Sequence, residues 1–232
     1  MIFPKERRIR SLIGGLETSL GTRVWEPLAK AFANNNGFSV KDEKIFNSKV
    51  PVIPEMLRHF IDNLRAAKQA NPLITHQEQL EEMREFIIAN NIKPTEYKKI
   101  PKGEGIDIWL EKAGVEYIYD IKTTQINAGS ESKFSSNFMN WYAYRLLVNN
   151  ALKIECRLAF PFNPHKGKNF WAKEGGKSIP LLPSIEAVVG NEFWDFLLGQ
   201  EKTIELIFEC FKELGEENFG AKFDSVFTPK LG

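Results

Sequence analysis

Asp107, Asp120 and Lys122 are the residues whose types and spacing could hold a divalent cation beside a phosphate. They lie in GIDIWLEKAGVEYIYDIKTT, residues 105–124, a stretch rich in β-branched and aromatic residues with a small polar break at Lys112, Ala113 and Gly114. That pattern predicts a β-hairpin. With a two-residue loop at Ala113-Gly114, Lys112 faces Val115 and Asp107 faces Asp120. Directly opposed residues on one face have Cβ atoms about 4.5–5.5 Å apart. Lys122, two positions past Asp120, falls on the same face by strand alternation. A four-residue loop over Lys112–Val115 keeps this pairing, whereas a three-residue loop shifts the register and destroys it.

Two carboxylates forced together repel unless a cation neutralises them. All-oxygen ligation with room for water suits a hard ion, Mg²⁺ first. Such an ion polarises a phosphoryl oxygen and acidifies water, and an ammonium at Lys122 could orient the water and stabilise charge growing on phosphate. The set suits in-line hydrolysis of a phosphodiester. The plainer alternative is a half-exposed hairpin with ordinary surface ion pairs. Against it, these charges are embedded among Ile106, Ile108, Ile118 and Ile121, and charge in an apolar strand needs a reason.

The elements that must position this hairpin read as follows. Residues 1–100 look helical. Val24, Leu28 and Phe32 share one face of a helix over 22–33, which Pro27 must open or kink. A second helix over 53–69 starts at Pro54 and carries the stripe Met56, Leu57, Phe60, Ile61 and Leu64. Thr75 and Glu78 form a capping-box signature for a third, holding Leu80, Met83 and Ile87 and ending at Asn90, Asn91 and Pro94. After the hairpin come a helix over 132–149, a strand over 153–162 stopped by Pro161 and Pro164, a basic loop, and C-terminal helices bearing Ile204, Ile207, Phe208, Phe211 and Leu214. Helices around a small central sheet give an α/β layering.

Composition agrees with one nuclease-sized domain over 1–232, divided into a helical part (1–100), the hairpin, helix and strand (103–164), and a basic loop with terminal helices (165–232). Lys and Arg number 31 against 30 Asp and Glu, which excludes a generally basic nucleic-acid coat but not local basic patches. No apolar run is long enough for a membrane span, and MIFPKERRIR is charged where a secretory signal would be apolar. Two cysteines, Cys156 and Cys210, point to a reducing, cytoplasmic setting. His59, His76 and His165 lack zinc-ligand spacing, and no phosphate-binding glycine loop of the Walker type exists.

GIDIWL followed by YDIKTT resembles the PD-(D/E)XK nuclease motif, as Asp107 … Asp120-Ile121-Lys122, with Gly105 near where the family often has proline. The resemblance implies a restriction-endonuclease-like core, a central mixed β-sheet with the catalytic hairpin flanked by helices. It implies Mg²⁺ on Asp107, Asp120 and the Ile121 carbonyl, with Lys122 serving the water. Members often bring a further acid from an N-terminal helix, which makes Glu26 a candidate; a helix-start carboxylate interacting with the macrodipole is the other reading. GEGIDIWL, DIKTTQIN, FMNWYAYRL and NEFWDFLLG are similar to type II restriction endonucleases of the TdeIII kind. That likeness implies site-specific cleavage of double-stranded DNA by a homodimer, leaving 5′-phosphate ends.

Further residues are candidates for DNA contact. Gln125 and Asn127 follow the catalytic strand and could equally be turn residues. Lys133, Asn137, Asn140 and Tyr144 lie on the more polar aspects of the next helix, which packs near the active site in related nucleases. Lys166, Lys168 and Lys173 belong to a basic, aromatic loop suited to phosphate contact, and Lys98, Lys99 and Lys102 form a second basic cluster. A repair or recombination nuclease reading DNA structure, and a non-catalytic DNA-binding protein, remain the competing functions.

Overall fold

The structure, a computed structural model, describes residues 19–123, 128–165, 168–171 and 181–217; for 128–132 the backbone alone is described. The hairpin forms as the sequence requires. Strand β4 (Ile108–Lys112) and strand β5 (Val115–Ile121) pair antiparallel, with Ile108 opposite Tyr119 and Lys112 opposite Val115. The loop is the two residues Ala113 and Gly114, both left-handed, with φ of 52° and 77°. Positive φ at both central residues is what lets a two-residue turn follow the right-handed twist of its strands.

The hairpin sits inside a five-stranded mixed sheet of order β1-β4-β5-β6-β7. Strand β1 (Ser39–Lys41) closes one edge antiparallel to β4, while β6 (Lys153–Phe160) and β7 (Ala187–Val189) extend the other side in parallel. A parallel neighbour needs a crossover, and the helix Ala128–Val148 provides it between β5 and β6. A separate two-stranded ribbon pairs β2 (Val50–Pro51) with β3 (Tyr97–Lys98). The helices are α1 (Glu26–Asn35), α2 (Glu43–Ser48), α3 (Glu55–Ala70), α4 (His76–Ala89), α5 (Ala128–Val148), α6 (Asn191–Leu198) and α7 (Thr203–Glu216).

Strand alternation sorts the side chains into two cores. Trp109 and Ile118 join Leu57, Ile61, Leu80, Met83, Phe138 and Trp141 of α3, α4 and α5. Ile108, Leu110, Tyr119 and Ile121 join Ala29 and Ala33 of α1, Phe193, Trp194 and Leu197 of α6, and Ile207 of α7. Each fully buried large apolar side chain contributes roughly 1.5–3 kcal/mol, so both faces of the sheet are held strongly. The result is a helix–sheet–helix sandwich, and the expected α/β class with a central mixed sheet holds.

Local chemistry accounts for the helix ends. Thr75 caps α4 in a full capping box with Glu78, and Pro54 stands at the N-cap of α3. Of the two expected outcomes, Pro27 opens its α-helix. The preceding Gly21–Trp25 forms a π-helical turn, in which the Glu26 N–H bonds to the Gly21 carbonyl, and Pro27 enters the first turn of α1, where its missing donor costs little. The strands of the first hundred residues are a correction to the helical reading of that region: β1, β2 and β3 have two or three residues each, too few to show a period. Helix α5 starts before Ser132. On α7 only Ile207 of the apolar stripe is fully buried; Phe208, Phe211 and Leu214 stay about half exposed.

Two buried polar clusters tie the layers. Glu116 of β5 accepts a bidentate pair from Arg145 of α5, both bonds at 2.8 Å, and further bonds from Trp109 Nε1 and Lys41 Nζ. Lys68, 2% exposed, donates to both oxygens of Glu186 at 3.1 Å, and Glu186 also accepts the backbone N–H groups of His76 and Leu182. His76 Nε2 meets Ser135 Oγ at 2.7 Å. Its Nδ1 lies 2.7 Å from the Glu186 carboxylate without the angle for a hydrogen bond.

Two stability predictions follow from this packing. Ala113→Asn relieves a left-handed alanine, and denaturant unfolding is expected to show a gain of about 0.5–1 kcal/mol. Glu186→Ala leaves the Lys68 ammonium buried without its partner, and the same measurement is expected to show a loss of about 3–5 kcal/mol.

Candidate active site

The end of the hairpin away from its turn is where the ladder stops and the charged residues meet. The last antiparallel pair is Ile108 with Tyr119. Asp107, one residue earlier, leaves the regular ladder: its N–H donates to the Tyr119 carbonyl at 3.0 Å, while its Oδ2 accepts the Ile121 N–H at 2.8 Å. Asp120 shares the alternation of Ile118 and Trp109, facing α5. The two carboxyl groups are within hydrogen-bonding reach of each other. The expected register therefore brings the two acids together, although Asp107 does so from just outside the strand.

Lys122 completes the face. Its N–H donates to the Ala159 carbonyl of β6 at 2.9 Å, which carries the parallel ladder one residue past β5. Its Nζ donates to Asp120 Oδ1 and stands 5.2 Å from the centre of the Phe134 ring on α5. Aromatic contact and partial exposure keep the ammonium at the surface of the site rather than in the core.

The electrostatics mark the acids as strained without a cation. Asp120 is 5% exposed. Burial is the main cause that pushes its carboxyl up to about 7; Lys122 opposes this, and Asp107 adds to it. Glu26, at the start of α1, is also raised to about 7, first by burial and then by the charge of Asp107. Glu26 therefore feels the charge of Asp107, with Lys30 and Lys122 opposing it. Lys30, one turn along α1, bridges to Glu43 of α2 at 2.8 Å and holds this corner of α1 in place.

The donor set fits a hard divalent cation. Two carboxylates and the Ile121 carbonyl, at the end of β5 beyond its last pairing with β4, are oxygen donors of the kind Mg²⁺ takes alongside water and phosphate oxygens. A cation there would also offset the cost of ionising a buried acid beside another acid. Among the described residues no three acidic, histidine or cysteine side chains gather at ligand spacing, so Glu26 stands back from the aspartate pair.

The other sequence candidates are distributed unevenly. Asn137 and Tyr144 are both 2% exposed and turned inward: Asn137 Nδ2 donates to the Gly103 carbonyl at 3.0 Å, and the Tyr144 hydroxyl donates to Glu104 Oε2 at 2.9 Å. Both polar groups are thereby committed to the loop leading into Asp107. Lys133 is exposed, and its Nζ would lie 3.1 Å from a Cβ on Gly103, so it leans over that loop. Asn140 is half-buried on α5, and Lys98, Lys99, Lys102 and Lys168 are exposed. Gln125, Asn127, Lys166 and Lys173 lie outside the described residues.

Sequence reasoning missed the groups that hold the Gly103–Ile106 segment. Trp141 Nε1 donates to the Glu104 carbonyl at 2.6 Å. Asn47 of α2 donates to the Ile106 carbonyl and accepts the Ile106 N–H, both at 3.0 Å. Nothing in an isolated asparagine some sixty positions upstream signals this. Gly105 was the one hint, since a Cβ there would stand 3.4 Å from Asn47 Oδ1.

Residues 1–215 match the family described as "Type II restriction endonuclease, HinfI". A curated relative, the type II restriction enzyme MjaII of Methanocaldococcus jannaschii, is 22% identical over 224 residues, 92% of this chain and 57% of that protein. The chain thus spans little more than half the length of that relative. No solved structure matches it significantly. The strings that suggested the TdeIII kind lie inside the matched region, and both kinds are type II restriction endonucleases. With the acidic pair and the lysine meeting at one end of the hairpin, and with the match running over nearly the whole chain, this protein belongs to the HinfI family of type II restriction endonucleases.

Proposed function

We propose that the chain is a Mg²⁺-dependent endonuclease that hydrolyses phosphodiester bonds of double-stranded DNA at a specific site, leaving 5′-phosphate ends. The observation that carries this reading is the convergence of Asp107, Asp120 and Lys122 at the hairpin end, with the charge of Asp107 reaching Glu26.

Asp107, Asp120 and the Ile121 carbonyl would hold the ion, which when bound supplies a Lewis acid for the phosphate and acidifies water. Asp107 is oriented for this by its bond to the Ile121 amide. Lys122, whose Nζ reaches Asp120 Oδ1, would orient a water toward phosphorus and stabilise charge on the equatorial oxygens. Glu26, poised near neutrality, is placed to hold or accept a proton at the edge of the site. Exposed Lys133 and Lys168 suit phosphate contacts, and Asn140, Gln125, Asn127, Lys166 and Lys173 belong to the same DNA-facing proposal. Cutting both strands calls for two such sites, most simply in a C2 homodimer on a palindromic target.

Digestion of plasmid DNA with Mg²⁺, followed by end sequencing, tests this directly: discrete fragments with 5′-phosphate ends are expected, and cutting confined to branched junctions would instead indicate a repair or recombination nuclease. Lys122→Ala is expected to lower the cleavage rate about 10²–10³-fold with DNA binding largely kept. Asp120→Asn gives a prediction with a definite sign in EDTA. A folded-state pKa near 7 against 3.8 in the unfolded chain means that the native state binds the extra proton between those values. Wild-type stability is therefore penalised as pH rises through that window, fully so above 7. The asparagine variant is expected to be more stable than wild type at pH 8, by a few kcal/mol at the order-of-magnitude level, with the gain vanishing near pH 4. Equal stability of the two proteins at pH 8 would contradict the buried-charge account.

A further inference from the structure

The segment that delivers Asp107 precedes the paired strand, which begins at Ile108. Asp107 itself is tied to β5 by its N–H on the Tyr119 carbonyl. Ahead of it, side chains hold residues 103–106, and Asn47 makes the most specific contact. Its amide donates to the Ile106 carbonyl and accepts the Ile106 N–H, each at 3.0 Å. The Ile106 N–H belongs to the peptide unit before that residue, and the Ile106 carbonyl belongs to the unit that contains the Asp107 nitrogen. One side chain therefore grips the two successive peptide planes on either side of Ile106, the second of which leads into the Asp107 Cα.

Asn47 is itself firmly placed. Its carbonyl accepts the Ile100 N–H at 3.3 Å. Its neighbour Phe46 is 4% exposed and packs edge-on against Trp109, with ring centroids 5.6 Å apart. Glu43, one turn earlier on α2, is bridged to Lys30 of the helix that carries Glu26. The short helix α2 thus joins the two acid-bearing elements. An amide side chain of this length alone offers a donor and an acceptor at the spacing of a peptide. Alanine at position 47 removes both partners of Ile106 at once.

We propose that Asn47 is a positioning residue for the metal site, acting through Ile106 to hold Asp107 where it can share an ion with Asp120. This rests on the reading of Asp107 as a metal ligand. Groups one layer behind a ligand commonly change metal affinity or activity about 10–100-fold when removed. Mn²⁺ binding to the DNA-free protein, followed by the resonance of unbound Mn²⁺, is the measurement. Wild type, Asp107→Ala, Asn47→Ala, Asn47→Leu and a remote packing variant, Ile61→Val, are compared, with thermal unfolding measured for each.

Asn47→Ala is expected to weaken Mn²⁺ binding at least tenfold. Asn47→Leu, which keeps the bulk of the side chain and removes both hydrogen bonds, is expected to shift binding in the same direction. Ile61→Val should lose thermal stability with Mn²⁺ binding unchanged. If wild type binds Mn²⁺ and Asp107→Ala does not, but Asn47→Ala and Asn47→Leu both bind within twofold of wild type, Asn47 has no positioning role and the metal reading stands. If Asp107→Ala binds as wild type does, or wild type binds no Mn²⁺, the metal reading itself fails and the role of Asn47 with it. Should Asn47→Ala not fold, Asn47→Leu alone decides between these outcomes.

Discussion

The site depends on keeping two carboxylates close together where water is largely excluded. An isolated pair of acids would move apart or take up a proton, because burial and mutual repulsion both oppose their ionisation. Here the backbone prevents separation. Asp120 belongs to a central strand with ladders on both sides, and Asp107 is fastened by its own Oδ2 to the Ile121 amide. The raised carboxyl of Asp120 is the thermodynamic mark of that constraint.

The frame is rigid for a reason that can be traced through the sheet. Strand β5 is flanked by an antiparallel partner and a parallel one, and both faces are covered by helices. The Glu116–Arg145 pair fixes α5 to the same strand that carries Asp120, on the same side of the sheet. Helix α5 in turn brings Phe134 beneath Lys122 and Asn137, Trp141 and Tyr144 against the loop before Asp107. One helix therefore supports both halves of the acidic pair. The residues that looked like DNA contacts on this helix, Asn137 and Tyr144, instead have their polar groups turned inward, and burial pushes the Tyr144 phenol above its usual range, so that it serves as a donor to Glu104. The proline of α1 shows the same economy of form. A π-helical turn ahead of Pro27 leads into the α-helix, and Glu26 stands at the junction, where burial and the charge of Asp107 raise its carboxyl.

The amino-acid sequence by itself determined the hairpin, its register and its turn. Period-two alternation and an Ala-Gly break leave few ways to bury Ile108, Leu110, Ile118 and Tyr119, and the acids follow from the same alternation. It also determined the capping box at Thr75 and the helices with strong stripes, because these are local signals repeated over several turns. Tertiary structure decided the rest. Strands β1 and β7 are three residues long and exist because a neighbouring strand offers them an edge. The Lys68–Glu186 pair spans 118 positions and the Asn47–Ile106 pair 59, so no window of sequence contains either. Whether Asn137 faces solvent or the loop before Asp107 depended on how α5 lies across the sheet, since a polar side chain on a helix goes wherever unpaired backbone groups await it.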